Sequence, residues 1–273
     1  MTHSRPAVRN LLSERGLAPR RDLGQNFVAD PNTVRRIAHL SRVGPGDHVV
    51  EVGAGLGSLT LALAETGPSI TAVEVDSGLV AVLREVFADH ATVVVVEADA
   101  MTADWDGLLG DRADGPDGAV LVANLPYNVA TPLVCDVLDD VPGVTRMLVM
   151  VQREVAERFA ASPRTPAYGA VSVKIAYWAT ARIVGLVPAS VFVPRPNVES
   201  ALVEIERHDP PSTDPVALFA LVRTAFNQRR KMLRHSLAGV VSPEQFESAD
   251  VAPTARPEEL DVAAWCALTE AVA

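Results

Sequence analysis

Residues 48–58 read HVVEVGAGLGS, a β-branched run broken by Glu51, then glycines at 53, 55 and 57, then the first residues of an apolar helix through Ala64. Closely spaced glycines where a strand passes into a helix let the backbone approach a ligand at the C-terminal edge of a parallel sheet. On both sides of this stretch the pattern repeats. Strand-like runs at 69–76, 91–99, 119–126 and 144–152 alternate with helical segments near 78–88, 130–139 and 152–161, as crossover connections require. The expected fold is a doubly wound, Rossmann-like α/β sheet. A helix beyond Tyr168 and strands near 182–187 and 198–206 complete it as antiparallel additions.

Two composition breaks set the expected domains. DRADGPDG at 111–118 is turn-rich and reads as a surface loop, and RHDPPSTDP at 207–215 reads as a linker. After it, residues 214–240 and 258–272 look helical. We therefore expect a basic N-terminal arm (1–23), an α/β domain (24–207) and a small helical C-terminal domain (208–273), to the last two of which the resemblance given below assigns catalysis and RNA binding respectively.

The chain has 273 residues, 48% hydrophobic and 21% charged, enough to bury one large core plus an appendage. The longest uncharged run, Gly118 to Cys135, holds Asn124, Pro126, Asn128 and Pro132 and cannot be a membrane-spanning helix. Two distant cysteines, Cys135 and Cys266, form no disulfide framework, and no secretory h-region follows the N-terminus, so a cytoplasmic location is expected. The six histidines show no ligand spacing, and no metal is expected. The net charge of −10 argues against a polyanion partner until its distribution is read. Residues 49–140 carry net −14, whereas residues 1–48 and 207–241 each carry net +4, so a polyanion can be met locally, with plain solvation of the charges as the alternative.

The glycine spacing bears on the ligand. A dinucleotide fingerprint wants its third glycine at position 58, where serine stands. Glycines at 53, 55 and 57 fit S-adenosylmethionine instead, which has no pyrophosphate to cradle; a purely structural turn is the alternative. Glu74, ending the second strand, can accept both hydrogen bonds of a ribose diol, and Asp99, ending the third, can accept from an adenine amino group or cap a helix near Thr102. Asn124-Leu125-Pro126-Tyr127 ends the fourth strand. An exocyclic adenine amine is a poor nucleophile because its lone pair is delocalised into the ring. The Asn124 side-chain oxygen and the Leu125 carbonyl can hold its two N–H groups, Pro126 fixes the turn, and Tyr127 offers a stacking face.

Taken together, GQNF at 24–27, EVGAGLGSLT, VEVD, EADAM, NLPYNVATPL, VQREVAERF, FVPRPNVESA and AFNQRRKMLRHSL resemble the rRNA adenine N6,N6-dimethyltransferases of the small-subunit KsgA type, over residues 24–240. The resemblance implies cofactor contact by Asn26, Val28, Gly53, Glu74, Asp99 and Asn124, with Gly55 in the same loop. It also implies that Phe192 stacks on the target adenine opposite Tyr127. Val28 stands where leucine is usual, and Asn197 stands where lysine is common, which removes one phosphate contact. The implied activity is dimethylation of two adjacent adenosines near the 3′ end of 16S rRNA, within an immature small ribosomal subunit, by a monomer.

Three rivals remain at this stage. The large-subunit Erm methylases usually end the fourth motif in phenylalanine rather than tyrosine. A non-catalytic assembly factor would not need intact cofactor and amine motifs. A DNA adenine methyltransferase would carry two prolines where Leu125-Pro126 stands. For RNA, Arg223, Arg229, Arg230, Lys231 and Arg234 at helical spacings, with Arg20 and Arg21 before the cofactor motif, are expected to grip phosphates on both sides of the site, while Leu233 and Leu237 pack inward.

Overall fold

The computed structural model describes residues 3–20, 22–110 and 118–273, so Arg21 and all but the last residue of the 111–118 loop lie outside it. The chain divides into two compact units, residues 1–156 with 182–207, and residues 157–181 with 208–273.

The first unit holds α1 (Arg5–Glu14), β1 (Phe27–Val28), α2 (Pro31–Leu40), β2 (His48–Val52), α3 (Ser58–Ala64), β3 (Ser69–Glu74), α4 (Ser77–Val86), β4 (Val93–Glu97), α5 (Trp105–Leu109), β5 (Ala119–Asn124), α6 (Ala130–Asp140) and β6 (Val144–Gln152). Its later strands are β7 (Ala179–Val187), most of which falls in this unit, β8 (Phe192–Val193) and β9 (Ser200–Arg207). The seven-stranded sheet runs β4-β3-β2-β5-β6-β9-β7. Strands β2 to β6 pair in parallel, and β9 is antiparallel to β6, as the alternating pattern predicts. Chain order reverses on either side of β2, and ligands of doubly wound sheets bind at the carboxyl ends of the strands at that switch.

Local signals account for the helices around the switch. Asp76 caps α4, accepting from Gly78 N at 2.9 Å and Leu79 N at 3.3 Å. Asp30 caps α2, accepting from Thr33 N at 3.0 Å, with Pro31 at the first helical position. At the far end of α6, the guanidinium of Arg207 donates to the carbonyls of Val137, Leu138, Val141 and Val144 at 2.9–3.1 Å. The guanidinium thereby ties the C-terminal turn of α6 to the start of β6, and Leu138 O gains an acceptor bond that the helix itself does not supply.

The N-terminal segment is not a loose arm. Val8 and Leu12, one turn apart on α1, are buried in a cluster with Phe27, Leu56 and Leu79.

The second unit is built from α7 (Arg153–Phe159), which enters it at residue 157, α8 (Ala170–Trp178), α9 (Pro215–Phe226), α10 (Leu233–Ser236), α11 (Pro243–Ser248) and α12 (Val262–Val272). Tyr168 and Tyr177 share one core with Phe219, Leu233, Leu237 and Trp265, which is why residues 157–181 group here and not with the sheet as the expected boundary at 207/208 had them. The 207–215 segment is not a free linker either, because the Tyr177 hydroxyl lies 3.0 Å from Pro211 O and 2.7 Å from Thr213 O. Residues 214–240 are also not one helix. Helix α9 stops at Phe226, and a run of turns separates it from α10.

Candidate functional site

A groove of about 280 Å³ opens at the carboxyl ends of β4, β3, β2 and β5. It brings together Asn26, Gly53, Gly55, Glu74, Asp99 and Asn124 through Tyr127, all expected from the sequence. Its apolar wall is completed by Phe27, Leu79, Met101 and Leu133. Sequence reasoning missed these, since an apolar residue beside a motif carries no signal that separates a groove wall from core.

The glycine loop is shaped by close approach. Gly55 has φ +61°, and a Cβ there would lie 3.1 Å from the Phe27 ring, so the ring occupies the space that a side chain would take. Gly24 has φ +63°, and a Cβ there would lie 3.1 Å from Pro126 Cβ, which seats the GQNF turn directly on the NLPY turn.

Glu74 is 6% exposed and fully engaged from one side. Its Oε2 accepts from Gly55 N at 2.9 Å, and its Oε1 accepts from Val75 N and Asp76 N at 3.0 Å each. Both lone-pair sites of Oε1 are taken by these N–H groups, and Oε2 keeps one for a ribose hydroxyl. Burial raises its pKa, and the three N–H groups pull the other way. Asp99 is exposed, and its Oδ1 accepts from Met101 N at 3.0 Å, so it forms a local turn while facing the groove.

Asn124 Nδ2 donates to Asn26 O at 3.0 Å, and Asn26 Nδ2 donates to Gly24 O at 3.0 Å. The two asparagines thus form a relay from the GQNF turn to the NLPY turn. The Tyr127 hydroxyl is 3.0 Å from the Ser200 hydroxyl on β9, which anchors the ring's far end.

Two of the expected site residues, Val28 and Phe192, lie outside the groove lining. Val28 and Phe192 face each other across the antiparallel β1–β8 pair, while Phe27 faces Val193. Directly opposed residues share a face and successive ones alternate. Phe27 and Val193 therefore pack on the α1 side, while Val28 and Phe192 point into the sheet's core cluster, 5% and 1% exposed. Neither lines the groove.

The basic residues divide similarly. Arg20 is already paired with Asp22 at 2.7 Å and Asp76 at 3.7 Å, and Arg21 lies outside the described residues. Arg229 donates to Glu258 at 2.6 Å and to Pro166 O at 2.9 Å, within the second unit's own framework. Arg223, Arg230, Lys231 and Arg234 are exposed. They do not share one helix face, since Arg223 is on α9, Arg234 is on α10, and the other two lie in the turns between. Leu233 and Leu237 are fully buried, as expected.

The donor set fits an adenosyl group with a charged tail. It comprises a carboxylate at the ribose position, a carboxylate for the base amine, apolar walls, and a glycine turn at 53 and 55 whose backbone lines the groove.

A sequence profile for the family described as ribosomal RNA adenine dimethylase matches residues 16–273. Among curated relatives, Ribosomal RNA small subunit methyltransferase A of Acidothermus cellulolyticus is 45% identical over 278 residues, covering 97% of this chain and 92% of the relative. The protein of the same name from Thermobifida fusca is 45% identical over 270 residues, covering 96% and 93%. The crystal structure of the 23S rRNA methyltransferase ErmE superposes with a TM-score of 0.68 at 26% identity, covering 90% of this chain and 99% of that one.

Proposed function

Because the chain belongs to the ribosomal RNA adenine dimethylase family, we propose that it dimethylates N6 of two adjacent adenosines near the 3′ end of 16S rRNA, in an immature small ribosomal subunit. S-adenosylmethionine, when bound, supplies an electrophilic methyl group on a sulfonium. The chain's own residues supply the rest. Glu74 holds the ribose, Asp99 the adenine, and the glycine loop admits the tail.

Asn124 Oδ1 and the Leu125 carbonyl hold the substrate amine and restore its tetrahedral character, Pro126 sets their angle, and Tyr127 stacks on the base. Rate enhancement then comes from positioning and from acceptors preorganised where positive charge develops. The monomethyl amine remains a nucleophile, so the same clamp acts twice on one base.

Arg223, Arg230, Lys231 and Arg234 give residues 208–273 an RNA-gripping role. We assign a monomer acting in the cytoplasm; among the described residues no helix is long and apolar enough to cross a membrane.

The observation that carries this reading is the Asn26–Asn124 relay at the lip of the groove. The test is transfer of labelled methyl from S-adenosylmethionine to undermethylated small subunits, followed by primer extension. Two adjacent blocked adenosines in 16S rRNA support it. Labelling of naked 23S rRNA alone favours the Erm activity, and subunit binding without label favours an assembly factor.

A further inference from the structure

Glu51 lies on β2 two residues before Gly53 and is 1% exposed. Its neighbours across the sheet are Ala72 on β3 and Val122 on β5, neither of them polar. A small cavity of about 30 Å³ adjoins it, lined by Glu51, Ser58 and Asn124 and by Gly53 and Gly55. Asn124 and the same two glycines also line the groove. Glu51 Oε2 and Ser58 Oγ are buried without a hydrogen-bond partner, and the buried Thr60 hydroxyl lies near enough to favour the ionised carboxylate without reaching full hydrogen-bond geometry. A buried carboxylate in that condition takes up a proton or recruits a counter-charge.

The charges around it come from every packed element. Strand β3 brings Glu74, of the same sign; α3 brings only the hydroxyls of Ser58 and Thr60; β1 and β5 bring Phe27, Val28 and Asn124. Helix α2 carries Arg35, Arg36 and His39, all exposed, with Arg35 on Glu65 and Arg36 on Leu186 O. His3 is tied to Leu56 O at 2.9 Å, and burial lowers its pKa. No lysine, arginine or histidine lines the groove or the small cavity among the described residues. Burial pushes the Glu51 carboxyl up to about 8; Thr60 pulls it down, and Glu74 adds to the rise.

The strand order places Asp99 after β4, Glu74 on β3, the glycine loop after β2 and Asn124 on β5. A nucleoside with its base at Asp99 and its ribose at Glu74 brings its 5′ substituent toward the glycine loop, which also borders the small cavity beside Glu51. This step rests on the cofactor reading above.

We propose that Glu51 is a proton-exchanging positioning residue, protonated beneath the glycine loop while the groove is empty and ionised when the α-ammonium of the cofactor's zwitterionic amino-acid tail enters. One proton passes to solvent for each tail bound, and no bond of the cofactor changes. The entering charge meets a carboxylate, and the buried carboxylate gains the counter-ion that the chain itself does not supply.

The test is titration calorimetry of the full chain at pH 7 in two buffers of different ionisation enthalpy. S-adenosylmethionine and S-adenosylhomocysteine, which share the tail, should each release close to one proton, and 5′-methylthioadenosine, which lacks it, none. Between pH 6 and 7.5 the S-adenosylmethionine Kd should tighten nearly tenfold per pH unit. Glu51→Gln should bind with no proton release and a flat Kd, its fold checked by circular dichroism.

The wild-type comparison of the three ligands stands even if that variant does not fold. Binding of S-adenosylmethionine without proton release overturns the proposal. Equal release with 5′-methylthioadenosine, or wild-type release in folded Glu51→Gln, overturns it as well. Complete failure of S-adenosylmethionine to bind is a different result, and it removes the cofactor reading itself.

Discussion

The side-chain amide of Asn124 donates to the main-chain carbonyl of Asn26 at 3.0 Å. A carbonyl only accepts, so the NH₂ end of that amide must face Asn26, and Oδ1 is the end left for the groove. The GQNF turn thereby fixes the polarity of the group that meets the substrate amine.

Asn124→Ala should therefore lower the single-turnover rate by roughly 10²- to 10³-fold, the range for removing one preorganised polar group, with cofactor affinity changed only a few-fold. Asn124→Asp sets an oxygen against the Asn26 carbonyl and should be no better than alanine. A near-normal rate for Asn124→Ala would remove the clamp.

Tyr127 and Phe192 should separate cleanly. Tyr127→Ala loses a stacking face worth roughly 1 to 3 kcal/mol, about 10- to 100-fold in rate, and Tyr127→Phe loses only the Ser200 contact, about 1 kcal/mol. Phe192→Ala opens a hole in the sheet's core and should cost about 3–5 kcal/mol of stability. Thermal melts beside single-turnover assays read both effects; an unchanged melting temperature for Phe192→Ala would show that its ring is not held in that core.

Glu51 also gives the cofactor-free protein a pH signature. Its folded-state pKa of about 8 stands above the ordinary 4.5, so the folded chain holds the proton more tightly. That contribution is complete below the ordinary value and is lost as pH rises through about 8, on the order of a few kcal/mol at most. Glu51→Gln and the wild type should unfold at similar denaturant concentrations near pH 5, and the variant should be the more stable near pH 8.5. A difference that does not change with pH would contradict a buried, protonated Glu51.

The parallel sheet was legible because β2, β3 and β5 are buried β-branched runs punctuated by glycine or proline, a pattern with few other structural readings. The groove was legible because its polar groups sit at strand ends in sequence order. The two-residue pairing of β1 with β8 was not legible, since no periodicity can be read from Phe27-Val28 or Phe192-Val193. That pairing decides which side Val28 and Phe192 face. Nothing in VEVD reveals that Gly55, Val75 and Asp76 all donate to the Glu74 carboxylate. The Arg229 pairing was not legible because its partner Glu258 is remote in sequence, whereas Arg20 is held mainly by Asp22 two residues away, with Asp76 farther off.

The exposed cations of the second unit should act on RNA alone. Neutralising Arg230 and Arg234 together should weaken RNA binding and flatten its salt dependence by roughly 0.7 to 0.9 per lost contact, with S-adenosylmethionine affinity unchanged. Arg229→Ala should instead lower the melting temperature, since its guanidinium holds Glu258 and Pro166 O. An unchanged salt slope in the double variant would assign Arg230 and Arg234 to a solvated surface.

The central claim is that the Asn26–Asn124 relay presents an acceptor to N6 of adenosines in small-subunit RNA. Its most direct test is primer extension on 16S rRNA from undermethylated small subunits, incubated with S-adenosylmethionine and either wild type or Asn124→Ala. In an incubation lasting a few wild-type turnovers, the account predicts stops at two adjacent adenosines near the 3′ end with wild type and almost none with the variant. Stops of wild-type strength with Asn124→Ala at that time, or wild-type stops on 23S rRNA and none on 16S rRNA, would contradict it.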